Sequence, residues 1–217
     1  MPEMKWHRYD PARGQYSLSD ATRLYCMIRE LRPRRIVEIG CGSSSACMLD
    51  SIEGLNLLTV CTFIDPTPQL PIRLEHGSRH KLLQQHVQLT ERSVLEQLTA
   101  NDILFIDSSH VLKTGSDLAF ALFEILPALA PGVFIHFHDV FFPFEYARSW
   151  AIDKNWSWNE AYALRAFLMY NRHYRIEFWN DYLAKAAPEA LADCPVITAP
   201  SWRGASLWLS VTPIEAR

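Results

Sequence analysis

Acidic and imidazole side chains follow two apolar segments of the chain. Asp107-Ser-Ser-His110 comes directly after Ile103–Ile106, and His138-Asp139 comes directly after Val133–Phe137. Because both apolar segments are typical of buried strands, their carboxyl ends are expected at one edge of a parallel sheet. Carboxylates and imidazoles that converge there have the chemistry to hold a divalent cation, which would lower the pKa of a coordinated hydroxyl and fix its position.

The spacing of these residues suggests separate roles. His110 lies three residues after Asp107, and an imidazole that titrates near neutral pH can serve as a general base. Asp107, His138 and Asp139 are the candidate metal ligands. The alternative is that the two aspartates only cap the segments that follow and that His138 is structural. For any one residue the two interpretations are balanced, whereas the set together favours a site.

A second candidate site is the turn Gly40-Cys41-Gly42-Ser43, which follows the β-branched run Ile36–Ile39. A strand, a glycine turn and a helix start form a small-molecule site in open α/β sheets. Glu38 would be costly in a buried strand unless a ligand ammonium or a neighbouring group paired with it. Asp65 ends the next apolar run, roughly 20 residues further on, where an acidic side chain can reach ribose hydroxyls. The pattern favours a nucleoside site over a turn without a ligand.

The same turn lacks the third glycine of the dinucleotide fingerprint Gly-x-Gly-x-x-Gly. That glycine allows close helix packing beneath a pyrophosphate, so its absence argues against NAD. S-adenosylmethionine fits better, because it carries ribose and adenine but no phosphate.

The elements that would position these residues alternate between strand and helix, which predicts βαβ units and a parallel sheet. Two further short elements are expected between the second and fourth strands: a helix over Arg79–Gln85 and a strand over His86–Leu89. A first helix is expected to begin at Ser17–Asp20, to continue through Leu31 and to end at Pro33. Helices are also expected over Ala46–Ile52, Val94–Leu98, Gly115–Leu129 and Glu160–Tyr170, and the last two strands over Tyr174–Trp179 and Ser206–Val211.

The composition supports one domain over residues 1–217, with 49% hydrophobic and 21% charged residues. Residues 1–16 are expected to lie on the surface, and the aromatic segment 140–158 is predicted to be a lid over an acceptor pocket rather than core. A net charge of -3 gives no support for a nucleic-acid partner. The chain shows no signal peptide or membrane segment, and its five cysteines suggest free thiols. We therefore expect a cytoplasmic protein, and a homo-oligomer stays open.

At this point the chain resembles the class I S-adenosylmethionine-dependent methyltransferases. The matching motifs cover most of Leu18–Val211, and they are Ile36–Gly42, Phe63–Asp65, Ile103–Asp107 and the closing strand. The resemblance implies a Rossmann-like sheet of seven strands, mostly parallel, with helices on both faces and a C-terminal antiparallel hairpin. It also implies that S-adenosylmethionine is bound by Glu38, Gly40, Cys41, Gly42, Ser43, Asp65, Ser93, Val94 and Asp107.

Within that class, Asp107-Ser-Ser-His110 and His138-Asp139 resemble the metal-dependent small-molecule O-methyltransferases that act on catechols and on macrolide sugars. The resemblance implies methyl transfer to a hydroxyl of a sugar or natural product, with Asp107 and His110 as catalytic residues. It also implies a divalent metal such as Mg, Mn or Fe. His138 departs from the family pattern, which usually has a carboxylate there, and an imidazole suits iron, manganese or zinc better than magnesium.

Two other functions stay open at this stage. Related folds with a similar metal edge are associated with cephalosporin hydroxylation, which makes a hydroxylase-like, metal-dependent enzyme one alternative. The other is a non-catalytic binding protein that kept the fold and lost the chemistry. Accumulation of S-adenosylhomocysteine on turnover would distinguish methyl transfer from both.

Overall fold

A single seven-stranded sheet organises the chain in the computed structural model, which describes residues 6–13, 15–68, 74, 77–191 and 204–213. The strand order is β3-β2-β1-β4-β5-β7-β6, with β7 antiparallel to both of its neighbours and the other pairs parallel. This confirms the predicted mostly parallel, Rossmann-like sheet with a C-terminal hairpin. The strands are β1 (Arg35–Ile39), β2 (Val60–Ile64), β3 (Lys81–Leu83), β4 (Ile103–Ile106), β5 (Phe134–Phe137), β6 (Tyr174–Trp179) and β7 (Leu207–Val211).

Both faces of the central strands are buried, which is why these strands are continuous apolar runs rather than alternating ones. In β4, for example, Phe105 faces one hydrophobic cluster while Leu104 and Ile106 face the other. The helices are α1 (Leu18–Leu31), α2 (Ser43–Gly54), α3 (Ser93–Glu96), α4 (Asp117–Phe120), α5 (Glu160–Leu168) and α6 (Asn180–Ala186), with short 3-10 helices at Pro11–Arg13, Val87–Leu89 and Pro188–Leu191.

Two expected elements between β2 and β4 are wrong. Residues 81–83 form the edge strand β3 where a helix was expected over Arg79–Gln85, and a 3-10 turn at Val87–Leu89 replaces the expected strand. Each element has only three residues, so neither shows a full period of a hydrophobic pattern. The strand conformation of β3 comes from its pairing with β2 at Thr62–Ile64.

The predicted helix over Gly115–Leu129 is one helical segment with three geometries. α4 continues through a π-helical turn at Ala121–Ile125 and ends in a 3-10 turn at Leu126–Ala128. Pro127 lies in the 3-10 turn, where its missing N–H removes an α-helical hydrogen bond. A second π-helical turn covers Ser149–Asp153.

The N-terminal segment is more deeply packed than the expected surface position of residues 1–16. Tyr9 and Tyr16 are 3% and 2% exposed and belong to the hydrophobic cluster on the α1 and α2 face. The buried carboxylate of Asp50 accepts hydrogen bonds from the backbone N–H groups of His7, Arg8 and Tyr9, at 2.8 to 3.0 Å. That carboxylate and the two tyrosines fix the segment against α2.

Four cysteines are free thiols, and Cys194 lies outside the described residues. Within the described ranges, none of the helices combines the length and the apolar character that crossing a membrane requires.

Candidate active site

The carboxyl ends of four parallel strands are joined by backbone hydrogen bonds. Gly40 N–H donates to the carbonyl of Ile64 at 2.9 Å, and Asp107 N–H donates to the carbonyl of Ile39 at 3.0 Å. His138 N–H continues the series by donating to the carbonyl of Ile106 at 3.0 Å. The residues after β1, β2, β4 and β5 are therefore brought to one edge of the sheet, as the sequence predicted.

A cleft of about 1010 Å³ opens at this edge. That volume is at the upper end of small-molecule sites and leaves room for two ligands side by side. Eight of the predicted site residues line it, whereas Glu38, Ser93, Val94 and His138 do not. The eight are Gly40, Cys41, Gly42, Ser43, Asp65, Asp107, His110 and Asp139.

The two glycines of the turn serve different purposes. Gly40 has φ +119°, and a Cβ there would lie 2.2 Å from the carbonyl oxygen of Asp107, so the strand crossing itself requires glycine. Gly42 has an extended backbone, and a Cβ there would meet no protein atom within 4 Å. Because Gly42 also lines the cleft, a side chain would project into space that a ligand can fill. The turn therefore fits a bound nucleoside such as S-adenosylmethionine.

Glu38 is fully buried beneath this turn, and side chains satisfy it. Its two carboxylate oxygens accept hydrogen bonds from Ser44 Oγ and Ser45 Oγ, each at 2.5 Å, at the start of α2. Burial raises the pKa of Glu38 to about 8, although the two hydroxyls oppose the shift. Glu38 thus links β1 to α2, and its direct contact with a ligand stays a prediction.

On the other side of the turn, Asp65 lines the cleft and accepts a hydrogen bond from the N–H of Thr67 at 2.7 Å. The cleft is also lined by His86, Val87 and Gln88, which lie at the start of the 3-10 turn that follows β3. Ser93 and Val94 instead start α3, and Val94 packs against the hydrophobic core. Residues around Val87 thus line the cleft, whereas Ser93 and Val94 do not.

His110 is held between carboxylates from three separate segments. Its Nδ1 lies 2.7 Å from Oε2 of Glu160, at the start of α5, and its Nε2 lies 3.5 Å from Asp107 and 3.9 Å from Asp139. His110 and Asp139 both have left-handed backbones, with φ 57° and 58°. Residues other than glycine rarely adopt that conformation, and strained backbone conformations of this kind cluster at functional sites.

These carboxylates change the protonation of His110. Burial lowers its pKa, but hydrogen bonds to Asp107 and Glu160 outweigh burial and raise the pKa to about 10. The sequence predicts an imidazole that titrates near neutral pH, whereas the three carboxylates around His110 favour its protonated form and raise its pKa.

The predicted metal set does not assemble. His138 is 4% exposed, does not line the cleft, and packs its ring 5.0 Å from that of Tyr16. Across the part of the chain that the structure describes, no three His, Cys, Asp or Glu side chains are placed to hold a metal ion. The positive charge between Asp107 and Asp139 is supplied by His110 instead, so the donor set as it stands does not fit a metal.

The aromatic segment 140–158 contributes to both core and cleft. Phe142 and Phe144 pack against Trp179, away from the site. The second half lines the cleft through Trp150, Lys154, Trp156 and Trp158, and the ring centroid of Trp158 lies 4.1 Å from that of His110. The segment thus forms a wall of the cleft beside His110, and its motion as a lid stays a prediction.

Several residues that line or support the cleft were not predicted from the sequence. Gln15 and Tyr16 line the cleft from the N-terminal segment, and Glu160 supports His110 from behind. Glu160 follows Asn159 at a helix start, which is a common place for an acidic side chain and gave no signal of a partner elsewhere. The pairing with His110 arises only from tertiary packing.

Comparison with known proteins agrees with this geometry. Residues 37–140 match a family model described as a methyltransferase domain. The search of curated protein sequences gave no significant match.

Solved structures share the fold at low sequence identity. One of them is TomG, an O-methyltransferase from Streptomyces achromogenes that is involved in tomaymycin synthesis and was solved with S-adenosylmethionine. It aligns with a TM-score of 0.54 and 15% identity, and the alignment covers 98% of this chain and 84% of TomG. An O-methyltransferase from Bacillus cereus, in complex with S-adenosylhomocysteine, has a TM-score of 0.55 and 13% identity, covering 97% and 84%. A CmcI structure with Mg and S-adenosylmethionine has a TM-score of 0.51 and 16% identity, covering 91% and 73%.

The family match spans the glycine turn, Asp65 and Asp107, and the shared fold extends the likeness over the rest of the sheet. Residues 37–140 therefore match a methyltransferase domain, and the chain has the fold of solved methyltransferases.

Proposed function

We propose that this methyltransferase transfers the methyl group to a hydroxyl of a small sugar or natural product, with His110 accepting the hydroxyl proton. The observation that carries the proposal is that the glycine turn and His110 line one cleft. A donor held by the turn and an acceptor held against His110 would be neighbours, and such positioning supplies much of the rate of a bimolecular transfer.

On the donor side, the cofactor supplies an electrophilic methyl group on a sulfonium. Gly40, Cys41, Gly42 and Ser43 are the residues that would hold its methionine end, and Asp65 would accept hydrogen bonds from the ribose hydroxyls. The open space in front of Gly42 supports this orientation. Burial against the turn also keeps water from competing with the acceptor.

On the acceptor side, a C–O bond forms as the S–C bond breaks, and the hydroxyl proton passes to the neutral form of His110. Glu160 fixes Nδ1 at 2.7 Å, which leaves Nε2 directed between the cleft residues Asp107 and Asp139. The raised pKa makes neutral His110 a strong base that is present as a small fraction at pH 7.

No step of this proposal passes through a metal, because the donor set does not fit one. The name of one structural neighbour pairs Mg with the cofactor, so chelation is a necessary check. We expect activity to survive dialysis against EDTA, and activity that returned only on adding Mg²⁺, Mn²⁺ or Fe²⁺ would contradict this part of the proposal.

The experiment that tests the proposal follows S-adenosylhomocysteine during incubation with S-adenosylmethionine and a panel of catechols, phenols and glycosides. The O-methyltransferase names of two neighbours support the choice of hydroxyl acceptors. We expect S-adenosylhomocysteine and an O-methylated product to form in equal amounts. Conversion of an acceptor without S-adenosylhomocysteine would favour the hydroxylase-like alternative, and methylation at nitrogen or carbon would contradict the hydroxyl assignment.

A further inference from the structure

The acceptor half of the cleft has opposite charges at its two ends. At one end Asp107, Asp139 and Glu160 surround His110. At the other end Lys154 lines the same cleft and places its Nζ 4.4 Å from the ring centroid of Trp156. Asp107 belongs to a segment that is distant from Lys154 in sequence, so the polarity arises in the folded cleft.

A row of neighbouring rings connects the two ends. The Trp158 centroid lies 4.1 Å from that of His110, and the Trp156 centroid lies 4.5 Å from that of Trp158. Lys154 lies over the ring of Trp156. The two indole rings form an apolar wall between His110 and the ammonium group of Lys154. Trp156 is 37% exposed, so a ligand can reach its ring.

The charge of Lys154 has no carboxylate partner. Among the described residues, the nearby Asp153 pairs with Arg148 at 3.4 Å, and no acidic side chain pairs with Lys154. A cation over an indole gains roughly 0.5–1 kcal/mol at an exposed site, but the indole does not neutralise its charge. The ammonium is therefore available to an anionic group of a ligand.

From this polarity, and resting on the proposed function, we infer that the acceptor is an organic acid. Its hydroxyl lies at His110, its apolar body lies along Trp158 and Trp156, and its carboxylate or phosphate pairs with Lys154. The reverse orientation would place the anion against Asp107 and Asp139, where like charges repel. Lys154 is thus a specificity residue that selects charge and sets orientation.

The test uses two matched probes, 3,4-dihydroxybenzoate and its neutral amide 3,4-dihydroxybenzamide. Their affinities are measured by ligand-observed NMR with enzyme saturated with S-adenosylhomocysteine. We expect the benzoate to bind about fivefold more tightly than the amide, the effect of one partly exposed ion pair. Lys154→Gln should remove the preference, whereas Lys81→Gln, at an exposed lysine on β3, should retain it.

A second variant separates charge from apolar contact. Trp156→Leu should weaken both probes by a similar factor. Equal affinity of the two probes for the wild-type enzyme, no binding of either, or an unchanged preference in Lys154→Gln would each overturn the inference. Calorimetry with S-adenosylhomocysteine alone separates failure of the acceptor inference from failure of the proposed function. If S-adenosylhomocysteine binds but the two probes do not behave as expected, only the acceptor inference fails. If S-adenosylhomocysteine does not bind, the proposed function fails as well.

Discussion

The two halves of the cleft are built in different ways. The half that we propose holds the methyl donor, the donor half, consists mainly of backbone: strand ends joined by hydrogen bonds, and a turn that needs glycine at Gly40 because of the carbonyl of Asp107. The acceptor half consists mainly of side chains, with His110 held by Glu160 and covered by Trp158. The donor half is therefore specified by local sequence, and the acceptor half by contacts between segments far apart in the chain.

This difference bears on how each half can change. A backbone site tolerates few substitutions, because Gly40 is required by the neighbouring strand and Gly42 faces the open cleft. A side-chain site can change its charge and shape without changing the sheet. We therefore expect variants of the donor half to affect folding or cofactor binding, and variants of the acceptor half to affect turnover, pH dependence and acceptor choice.

The largest effect is expected for Gly40→Ala. The new Cβ would lie 2.2 Å from the Asp107 carbonyl, so we expect destabilisation of about 3 kcal/mol or more, measured by urea unfolding. Gly77→Ala is the matched control, since Gly77 also has a positive φ, +83°, but its Cβ would meet nothing within 4 Å. The control should cost only about 1–2 kcal/mol of backbone strain. Equal losses in the two variants would show that the strand crossing does not require Gly40.

The next largest effect is expected for His110→Ala. If His110 accepts the proton, kcat should fall by about 10²–10⁴-fold. The affinity for S-adenosylhomocysteine should change by less than about twofold, because the donor half is separate. The two quantities come from steady-state kinetics and calorimetry. A variant that retained full turnover would remove His110 from the mechanism.

A smaller effect, but a more specific one, is expected for Glu160→Gln. Glu160 helps to raise the pKa of His110 to about 10, so wild-type kcat/KM should rise with pH until that value. Removing the charge lowers the pKa of His110 and moves the plateau to lower pH, with a fall in maximal rate of roughly tenfold. The pH–rate profile measures this. A loss of rate with an unshifted profile would indicate a structural role alone.

The smallest effect is expected for Glu38→Gln, and it concerns stability. Because the folded-state pKa of Glu38, about 8, exceeds its ordinary value, the folded protein binds this proton more tightly than the unfolded chain does. The stabilisation is complete below the unfolded pKa and is lost as the pH rises toward 8. The glutamine variant should flatten this slope in urea unfolding between pH 5 and 8.5. Glu53→Gln, at an exposed acid in the same region, should keep the wild-type slope.

The sequence predicted the sheet well because the buried strands carry their own signal. Ile103–Ile106 and Ile36–Ile39 were predicted as buried strands, and the structure has strands at Ile103–Ile106 and Arg35–Ile39. The errors fall on Lys81–Leu83 and Val87–Leu89, whose three-residue elements depend on pairing with the rest of the sheet.

Residues of the candidate site that directly follow a strand could be predicted from the sequence, and residues placed by tertiary packing could not. Asp65 and Asp107 could be placed in the cleft because each directly follows a strand. The partnership of Glu160 with His110 could not, since it depends on how α5 packs against the loop after β4. For the same reason the sequence could not show that His110 lies between the carboxylates of Asp107 and Asp139. It also gave no sign that the His138 ring packs against Tyr16.

The most direct test of the account is a calorimetric titration of S-adenosylhomocysteine into wild-type protein, Gly42→Ala and Gly42→Val. Because a Cβ at Gly42 meets no protein atom within 4 Å, both variants should fold with melting temperatures close to that of the wild type. We expect one binding site in the wild type, weaker binding in the alanine variant and no measurable binding in the valine variant. Binding of equal strength in all three proteins would contradict the claim that this glycine turn holds the methyl donor.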